Sequence, residues 1–328
     1  MSSDPRDQLL AEVDLALVHA LQVNARAPWA RIAEVIGVDP ATAARRWAAI
    51  NARGAAWFAV WPTPERHAAR SDAALVRVAA RITPEAADAW CRTPWVLAVE
   101  RTSVGTQAFV VGHGGLAALE QRIHDLVALV DDPGPVHVEY AAAVPRDDSS
   151  WRLRVLSATQ VRDLSESRTP GLRAPGEEAA AEVTALLRED ARMTWGAMAA
   201  RMGVRDATAR RTVERVLAHG LVRLGCDVAM PAVGLGRGVV VRARATPDFD
   251  PEVLVRSPSV HRVLRLVGPA EWTVSCRFTS LTELDAVERA WGPGIEVVDR
   301  WTVTAALKRN GHLLDSSGRS TGEVDVDW

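Results

Sequence analysis

The sequence is poor in lysine and cysteine, and it lacks long apolar runs. Lys308 is the single lysine among 39 basic residues. Cys91, Cys226 and Cys276 lie far apart and form no C-x-x-C pair, which argues against a disulfide framework and against a zinc site. No uncharged apolar run approaches the about 20 residues that cross a bilayer, and the first residues lack the basic and apolar regions of a secretory signal. We therefore expect a cytoplasmic protein that holds no metal and no other cofactor.

Motifs of common catalytic sites are also missing. The eight histidines form no H-x-x-x-H or H-E-x-x-H pattern, and there is no G-x-S-x-G nucleophile elbow. The glycine-rich stretch at 234–238 precedes a predicted strand instead of joining a strand to a helix, so it does not fit a dinucleotide site. A second stretch, at 112–115, is similar to an oxyanion loop but has no nucleophile to serve. These absences predict that the chain is not an enzyme.

The charge of the chain is nearly balanced overall but uneven locally. Over 328 residues the formal net charge is −2, so no global basic field indicates a nucleic-acid partner. Two segments are nevertheless positive: residues 24–58 carry a net charge of +3, and residues 188–224 carry +4. Any DNA-binding surface must therefore be local, in a chain whose length predicts two to four compact units.

Part of the sequence occurs twice. The stretch TAARRWAAINARG begins at Thr42 and returns as TARRTVERVLAHG from Thr208, 166 positions later (208 − 42). Upstream, ARAPW at 25–29 and ARMTW at 191–195 keep the same offset. A repeat of this length is far longer than a solenoid unit, so it indicates a duplicated module.

The first copy of the repeat has the pattern of a helix-turn-helix. Apolar residues at helical spacing over 10–21 predict a first helix, and a second, short helix follows over about 29–35. Gly37 supplies the positive φ of a tight turn, and Asp39 and Pro40 then provide the N-cap and first residue of an arginine-bearing third helix. Helix, helix, glycine turn and third helix is the order of a DNA-binding helix-turn-helix.

A βαββαβ pattern follows each helix-turn-helix, which predicts a split βαβ sandwich. The first set of elements covers 74–82, 84–91, 95–102, 106–112, 116–130 and 135–144. The second set covers 239–245, 250–257, 260–267, 271–278, 281–291 and 295–307.

This order of elements resembles the leucine-responsive regulator (Lrp/AsnC) family, twice over and across nearly the whole chain. The fold class that the resemblance implies is α+β, with winged-helix-like helix-turn-helix domains alternating with ferredoxin-like βαββαβ sandwiches of the RAM/AsnC type, duplicated in tandem. The implied domains are a helix-turn-helix at 1–62, a sandwich at 70–145, a linker at 146–176, a helix-turn-helix at 177–229, a sandwich at 235–312 and a flexible tail at 313–328.

The resemblance implies a sequence-specific transcriptional regulator that binds double-stranded DNA and is modulated by a small-molecule effector such as an amino acid. It also implies a homodimer or homotetramer paired through sheet faces, for which we expect the alternating valines Val76, Val78, Val239 and Val241 to supply the apolar surface. Two alternatives stay open. One is an effector-independent architectural DNA-binding protein, and the other is an enzyme on the related heme-decarboxylase or ferredoxin-like scaffold.

The DNA-binding residues are carried over from the third helix of the family. They are Thr42, Arg45 and Arg46 in the first copy, and Arg205, Thr208, Arg210 and Arg211 in the second. Arginine can meet phosphate or the guanine edge bidentately, and threonine can reach phosphate or a thymine methyl group. Thr212 stands where the family has its second arginine, so we expect the first reader to contribute more. The alternative reading is that these arginines are solvated or pair with nearby acids.

The family binds its effector near the turn between the second and third strands of the sandwich. The matching residues are Gly105, Thr106 and Gln107 in the first copy and Gly268, Ala270, Glu271 and Trp272 in the second. Because a carboxylate such as Glu271 can accept a charge-assisted hydrogen bond from an ammonium group, we expect effector sensing mainly in the second sandwich. The alternative is that each turn merely satisfies backbone geometry.

Overall fold

The structure, a computed structural model, describes residues 9–62, 71–165 and 174–324. The helices are α1 (Glu12–Val23), α2 (Trp29–Ile36), α3 (Pro40–Ala52), α4 (Pro84–Arg92), α5 (Leu116–Val127), α6 (Ala158–Leu164), α7 (Glu177–Glu189), α8 (Trp195–Met202), α9 (Asp206–Ala218), α10 (Glu252–Arg256) and α11 (Leu284–Ala290). The strands are β1 (Ala56–Pro62), β2 (Ser71–Val78), β3 (Val96–Thr102), β4 (Gly105–His113), β5 (Val136–Arg146), β6 (Val222–Val228), β7 (Arg237–Ala245), β8 (Val260–Leu266), β9 (Trp272–Phe278), β10 (Ile295–Arg309), β11 (His312–Leu314) and β12 (Ser320–Glu323). None of the helices in these ranges is both long enough and apolar enough to span a bilayer.

The chain forms two compact units, and each unit draws on both halves of the sequence. The helical unit contains both helix-turn-helix segments, from the described parts of 10–66 and 152–228. The barrel unit contains both βαββαβ segments, from the described parts of 67–151 and 229–328. The segments that were predicted to alternate along the sequence are therefore sorted by type in space.

Local signals explain the helix boundaries in the helical unit. Asp39 accepts a hydrogen bond from the backbone N–H of Thr42 at 2.8 Å, and Pro40 is the first residue of α3. Gly37 ends α2 with φ at 75°, a conformation that favours glycine. In the second half, α9 begins at Asp206, and Arg205 stands at the N-cap without a capping side-chain hydrogen bond.

Strands β1 and β6 join the two halves of the helical unit. They pair antiparallel from Ala56 opposite Val228 to Pro62 opposite Val222. Val60 of β1 packs into the apolar core that the second half builds around Val183 and Val213. Neither half is therefore complete alone, because each lends a strand to the other.

The segment predicted as a linker contains ordered structure between Trp151 and Ser165. A capping box of Ser157 and Gln160 begins α6. The side chain of His19 on α1 accepts hydrogen bonds through Nδ1 from the backbone N–H groups of Val155 and Leu156, at 3.2 and 3.0 Å. Burial, with the charge of Arg152, lowers the pKa of His19 to about 4, so at neutral pH the ring is uncharged and Nδ1 can accept.

The barrel unit is a closed sheet. The strand order is β10-β3-β4-β2-β5-β8-β9-β7, and β7 pairs again with β10, which closes an eight-stranded barrel among the described residues. The prediction of two separate ferredoxin-like sandwiches is therefore wrong in this respect. Two long strands make the closure: β5 pairs with β2 and then with β8, and β10 pairs with β7 and then with β3. Each βαββαβ segment contributes four strands to the barrel. Because the barrel closes, the edge strands of both sets are paired instead of exposing unpaired backbone groups.

The outer faces of the barrel carry the helices. Val76 and Val78 lie in the core beneath α4 and α5, and Val239 and Val241 lie in the corresponding core that includes Leu254 of α10. The prediction that these valines form a free pairing surface is wrong, because strand alternation points them at the helices and the intervening residues into the barrel. The pairing of sheets expected within or between chains is made within the chain.

The predicted flexible tail also needs correction. Residues 312–314 and 320–323 form β11 and β12, which extend the sheet beyond β10. Asp315 stabilises the turn between them by accepting hydrogen bonds from the backbone N–H groups of Ser317 and Arg319, at 2.8 and 3.0 Å. The prediction for 325–328 lies outside the described residues.

Candidate nucleic-acid interface and ligand sites

The third helix of the first half, α3, exposes some of its predicted DNA-binding residues to solvent. Arg45 is exposed and donates a hydrogen bond to Thr42 Oγ1 at 3.1 Å. Arg46 instead forms an ion pair with Asp14 Oδ1 of α1 at 3.0 Å. The structure therefore keeps Thr42 and Arg45 together at the surface and ties Arg46 to the packing of α3 against α1.

The corresponding helix of the second half, α9, exposes its predicted DNA-binding residues. Arg205, Thr208, Arg210 and Arg211 all face solvent. Arg210 pairs with Glu214 one turn later at 2.7 Å, a surface ion pair that a phosphate can replace at little cost. Among the described residues, Arg205 and Arg211 form no ion pair.

The three residues predicted for the first effector turn, Gly105, Thr106 and Gln107, lie in different environments in the structure. Gly105 begins β4 with φ at 131°, and a Cβ there would lie 2.1 Å from the carbonyl oxygen of Val78, so the close approach requires glycine. Thr106 is buried and donates to the carbonyl of Ala80 at 3.3 Å. Gln107 points into the barrel and donates to Glu100 Oε2 at 2.9 Å. Of the three, only Gly105 lines a cavity described next.

A cavity of about 430 Å³ lies beside the β3–β4 turn. It is lined by Ala79, Arg81, Arg101, Thr102, Ser103, Val104, Gly105 and Thr304. The lining is basic and hydroxylic and contains no acid, and the buried Nε of Arg101 has no hydrogen-bond partner among the described residues. Thr304 comes from β10, so both βαββαβ segments contribute to the cavity. Its volume falls in the range of small-molecule sites.

The second predicted turn is held by contacts with its own segment. Glu271 Oε1 accepts a hydrogen bond from the backbone N–H of Ala245 at 3.1 Å. The carbonyl oxygen of Ala270 accepts from Arg242 at 3.2 Å, and Ala270 itself is buried. Trp272 packs in the core beneath the helices, and Gly268 is exposed. One oxygen of the carboxylate expected to receive a ligand therefore already accepts a backbone hydrogen bond.

Sequence reasoning missed a buried ionic cluster inside the barrel. Arg262 donates to Asp148 Oδ2 at 3.0 Å and to Glu100 Oε2 at 2.9 Å, and Arg277 donates to Glu100 Oε1 at 2.8 Å. His261 Nδ1 is hydrogen-bonded to Asp148. All five side chains are nearly inaccessible to solvent. We call these residues, Glu100, Asp148, His261, Arg262 and Arg277, the ionic cluster.

The two acids of the ionic cluster remain ionised because the arginines outweigh burial. Burial alone would raise the pKa of Glu100, but Arg262 and Arg277 hold it below its usual value. Burial likewise opposes the ionisation of Asp148, but Arg262 and His261 hold its pKa well below the usual range. Glu100, which follows four apolar residues in VLAVERT, is the sequence signal that could have revealed this cluster.

A comparison with protein families identifies residues 10–49 as an AsnC-type helix-turn-helix domain. This confirms the first predicted helix-turn-helix and its Lrp/AsnC-type character, and it leaves the tandem duplication as a prediction. A comparison with curated protein sequences gives no significant match.

Two solved structures of the siroheme decarboxylase NirDL share the fold across nearly the whole chain. The enzyme alone matches with a TM-score of 0.51, and its complex with an iron-uroporphyrin III analogue matches with 0.52. In both cases the identity is 11%, and the match covers 91% of this chain and 93% of that chain. The leucine response regulatory protein LrpA of Mycobacterium tuberculosis matches at 18% identity with a TM-score of 0.37, covering 42% of this chain and 97% of its own.

The expectation that the chain is not an enzyme is corrected by this comparison, because the structures that match 91% of the chain are those of an enzyme. That expectation rested on missing sequence motifs. Motifs of this kind detect sites whose residues are close in the sequence. They do not detect sites whose residues come from distant strands. At 11% identity, the likeness establishes a shared fold and not a shared reaction.

Proposed function

We propose that this chain, which contains an AsnC-type helix-turn-helix domain at residues 10–49, is a transcriptional regulator that reads DNA with two heads. In this proposal the chain is a tandem duplicate, and α3 and α9 are its two recognition helices. The observation that carries the proposal is the pairing of β1 with β6, which joins both helix-turn-helix segments in one compact unit. Helix-turn-helix proteins usually obtain such a pair by dimerisation and then read two half-sites about 34 Å apart.

The exposed side chains of both recognition helices support DNA as the partner. Arg45, Arg205 and Arg211 face solvent, and each is free to meet a phosphate or a guanine edge. These arginines belong to the two positive segments of a chain whose overall charge is slightly negative. An architectural role without sequence preference is the alternative, and competition with unrelated DNA distinguishes the two.

We expect binding to duplex DNA to weaken steeply with salt, since each neutralised phosphate releases counterions. If about four phosphates are contacted, raising the salt from about 50 to 200 mM should weaken binding roughly 100-fold. Fluorescence anisotropy with fragments of the promoter region of its own gene measures this. Absence of binding at the lowest salt would overturn the regulator proposal, and equal affinity for unrelated DNA would favour the architectural alternative.

We assign the small-molecule effector, in the same proposal, to the cavity beside Gly105. This reverses the ranking expected from the sequence, because Glu271 Oε1 already accepts a hydrogen bond from Ala245, whereas the cavity is open and offers Arg81 and Arg101. Two guanidinium groups without a lining acid favour an anionic ligand, such as a carboxylate, over the ammonium group of an amino acid.

Replacing Arg101 with glutamine should therefore weaken binding of an anionic probe by about tenfold or more, the usual value of a charge-assisted hydrogen bond. Calorimetric titration with succinate, and with leucine for comparison, measures this. Glu271→Gln is the matched control and should bind succinate like the wild type. If Glu271→Gln instead abolishes leucine binding while Arg101→Gln changes nothing, the effector site belongs to the second turn.

The fold shared with NirDL favours a second candidate function, decarboxylation of a carboxylated tetrapyrrole. Incubation with siroheme, followed by absorbance spectroscopy and mass spectrometry, tests it. Loss of carbon dioxide from siroheme would support the enzyme. Unchanged siroheme, together with sequence-specific DNA binding, would support the regulator.

A further inference from the structure

The loops that precede α2 and α8 contact each other within the helical unit through one arginine from each loop. Arg26, from the first half, donates through Nη1 to the carbonyl oxygen of Ala191 and through Nη2 to that of Met193, both at 2.7 Å. Its guanidinium carbon also lies 4.2 Å from the ring centroid of Trp195. A single side chain thus bridges two carbonyls and an aromatic face of the opposite half.

An arginine of the second half makes the equivalent contact with the first half. Arg192 donates through Nη1 to the carbonyl oxygen of Ala25 at 2.6 Å and through Nη2 to that of Ala27 at 2.8 Å. Its guanidinium carbon lies 3.9 Å from the ring centroid of Trp29. Arg26 and Arg192 are separated by the same 166 positions (192 − 26) as the rest of the repeat. We call this reciprocal pair of contacts the clasp.

The chemistry of the clasp requires arginine. Only the planar guanidinium fork presents two parallel N–H donors at the spacing of two carbonyls while stacking its face on an indole ring. Burial, together with the charge of Arg26, lowers the pKa of Arg192 to about 10, so the Arg192 guanidinium is still charged at neutral pH. The repeated ARxxW sequences at 25–29 and 191–195 encode the arginine and the ring in each half.

The clasp and the β1–β6 ladder are two separate attachments between the same bodies. Strand β1 follows α3 and β6 follows α9, so the ladder holds each helix-turn-helix segment at its C-terminal end. The clasp holds the loops near the other end, between the first and second helices of each segment. The ladder constrains the two segments at one end, and the clasp adds a second constraint at the other end that narrows the range of their mutual orientation.

We propose that Arg26 and Arg192 are positioning residues that set the spacing between the two DNA half-sites. This inference rests on the proposed DNA-reading function and adds a specificity device to it. When the two recognition helices are held rigidly, the second helix adds to the affinity only if the spacing of the half-sites matches the spacing of the helices. The added affinity is lost when geometry forbids simultaneous contact. A swivelling pair accepts several spacings and binds the best one less tightly.

The double variant Arg26→Ala/Arg192→Ala tests this on duplexes in which the two half-sites are moved apart in steps of one base pair. We expect the wild type to lose about 100-fold in affinity when the spacing shifts by half a helical turn, and the double variant to lose only a few-fold. Arg26→Lys/Arg192→Lys should behave like the alanine variant, because lysine lacks the fork. Arg201→Ala, which removes an exposed arginine of α8 paired with Glu189, is the matched control and should keep the wild-type spacing profile.

A second measurement needs no DNA, so it separates the clasp from the proposed function. Ala48 on α3 and Glu214 on α9 are exposed and occupy equivalent positions, and Cys91, Cys226 and Cys276 are buried. Spin labels on cysteines introduced at 48 and 214 should report one narrow distance distribution in the wild type and a broad one in the double variant. An equally narrow distribution in a folded double variant would overturn the clasp whether or not the protein binds DNA. An unchanged spacing profile in a variant whose distribution has broadened would overturn its role in specificity.

Discussion

Replacing Glu100 with alanine is expected to lower the free energy of unfolding of the barrel unit by about 3–5 kcal/mol, the usual cost of removing one partner from a buried ion pair. Glu100 accepts hydrogen bonds from Arg262, Arg277 and Gln107 inside the barrel. Its removal leaves Asp148 as the one carboxylate of the ionic cluster, and Asp148 is hydrogen-bonded to Arg262 and His261, so Arg277 loses its carboxylate partner. Denaturant unfolding followed by tryptophan fluorescence measures the loss.

The matched control is Asp88→Ala, which breaks an exposed pair with Arg92 in the same unit. Water replaces an exposed partner, so this variant should unfold like the wild type within error. Glu100→Gln keeps the shape of the side chain and serves if the alanine variant does not fold. A loss as small for Glu100→Ala as for Asp88→Ala would show that the ionic cluster does not hold the barrel together.

The same cluster sets the sign of a pH dependence. Glu100 and Asp148 have lower pKa values in the folded protein than in the unfolded chain, so the unfolded chain binds more protons between the two values. Their stabilisation is therefore complete above the unfolded-state pKa of about 4 and is lost as the pH falls below it. The difference in the free energy of unfolding between the wild type and Glu100→Ala should therefore become smaller in that acidic range.

The helix-turn-helix could be predicted from the sequence because its signals are local. A capping aspartate, a proline at the first helical position and a glycine turn lie within a few residues of one another, and they fix α3 and its angle to α2 without reference to the rest of the chain. The clasp went unrecognised for the opposite reason. Its arginines and tryptophans were visible as a repeated motif, but nothing in the motif says that each arginine contacts the other half.

The barrel could not be predicted because closure depends on pairings between distant strands. Alternation in β5 and β10 shows which residues are buried, but it does not name the neighbouring strand. The one available clue was length, since β10 has 15 residues and β7 has 9, so β10 has room for a second partner. The turn at Gly105 was predicted as an effector site, but the contribution of Thr304 to the cavity there was missed, because Thr304 reaches the β3–β4 turn through that second pairing.

Replacing Arg45 or Arg211 with alanine should weaken binding to the preferred operator by about 1–3 kcal/mol each, if each contacts a base. Both side chains are exposed on the recognition helices, and neither pairs with an acid of the described residues. Loss through base contact should be confined to the preferred sequence, whereas loss through phosphate contact should be similar on unrelated DNA. Anisotropy titrations on both duplexes separate the two.

Arg46→Ala is the informative comparison, because Arg46 is committed to Asp14 and should act through the stability of the first helix-turn-helix more than through DNA. We expect it to lower the unfolding temperature of the helical unit, while Arg45→Ala leaves that temperature unchanged. The ranking expected from the sequence depended on Arg46, which Thr212 replaces in α9; because Asp14 holds Arg46, we expect Arg45→Ala and Arg211→Ala to cost similar affinity. A much larger loss from Arg45→Ala would contradict that expectation. A wild-type affinity in the double variant Arg45→Ala/Arg211→Ala would show that α3 and α9 are not the helices that read DNA.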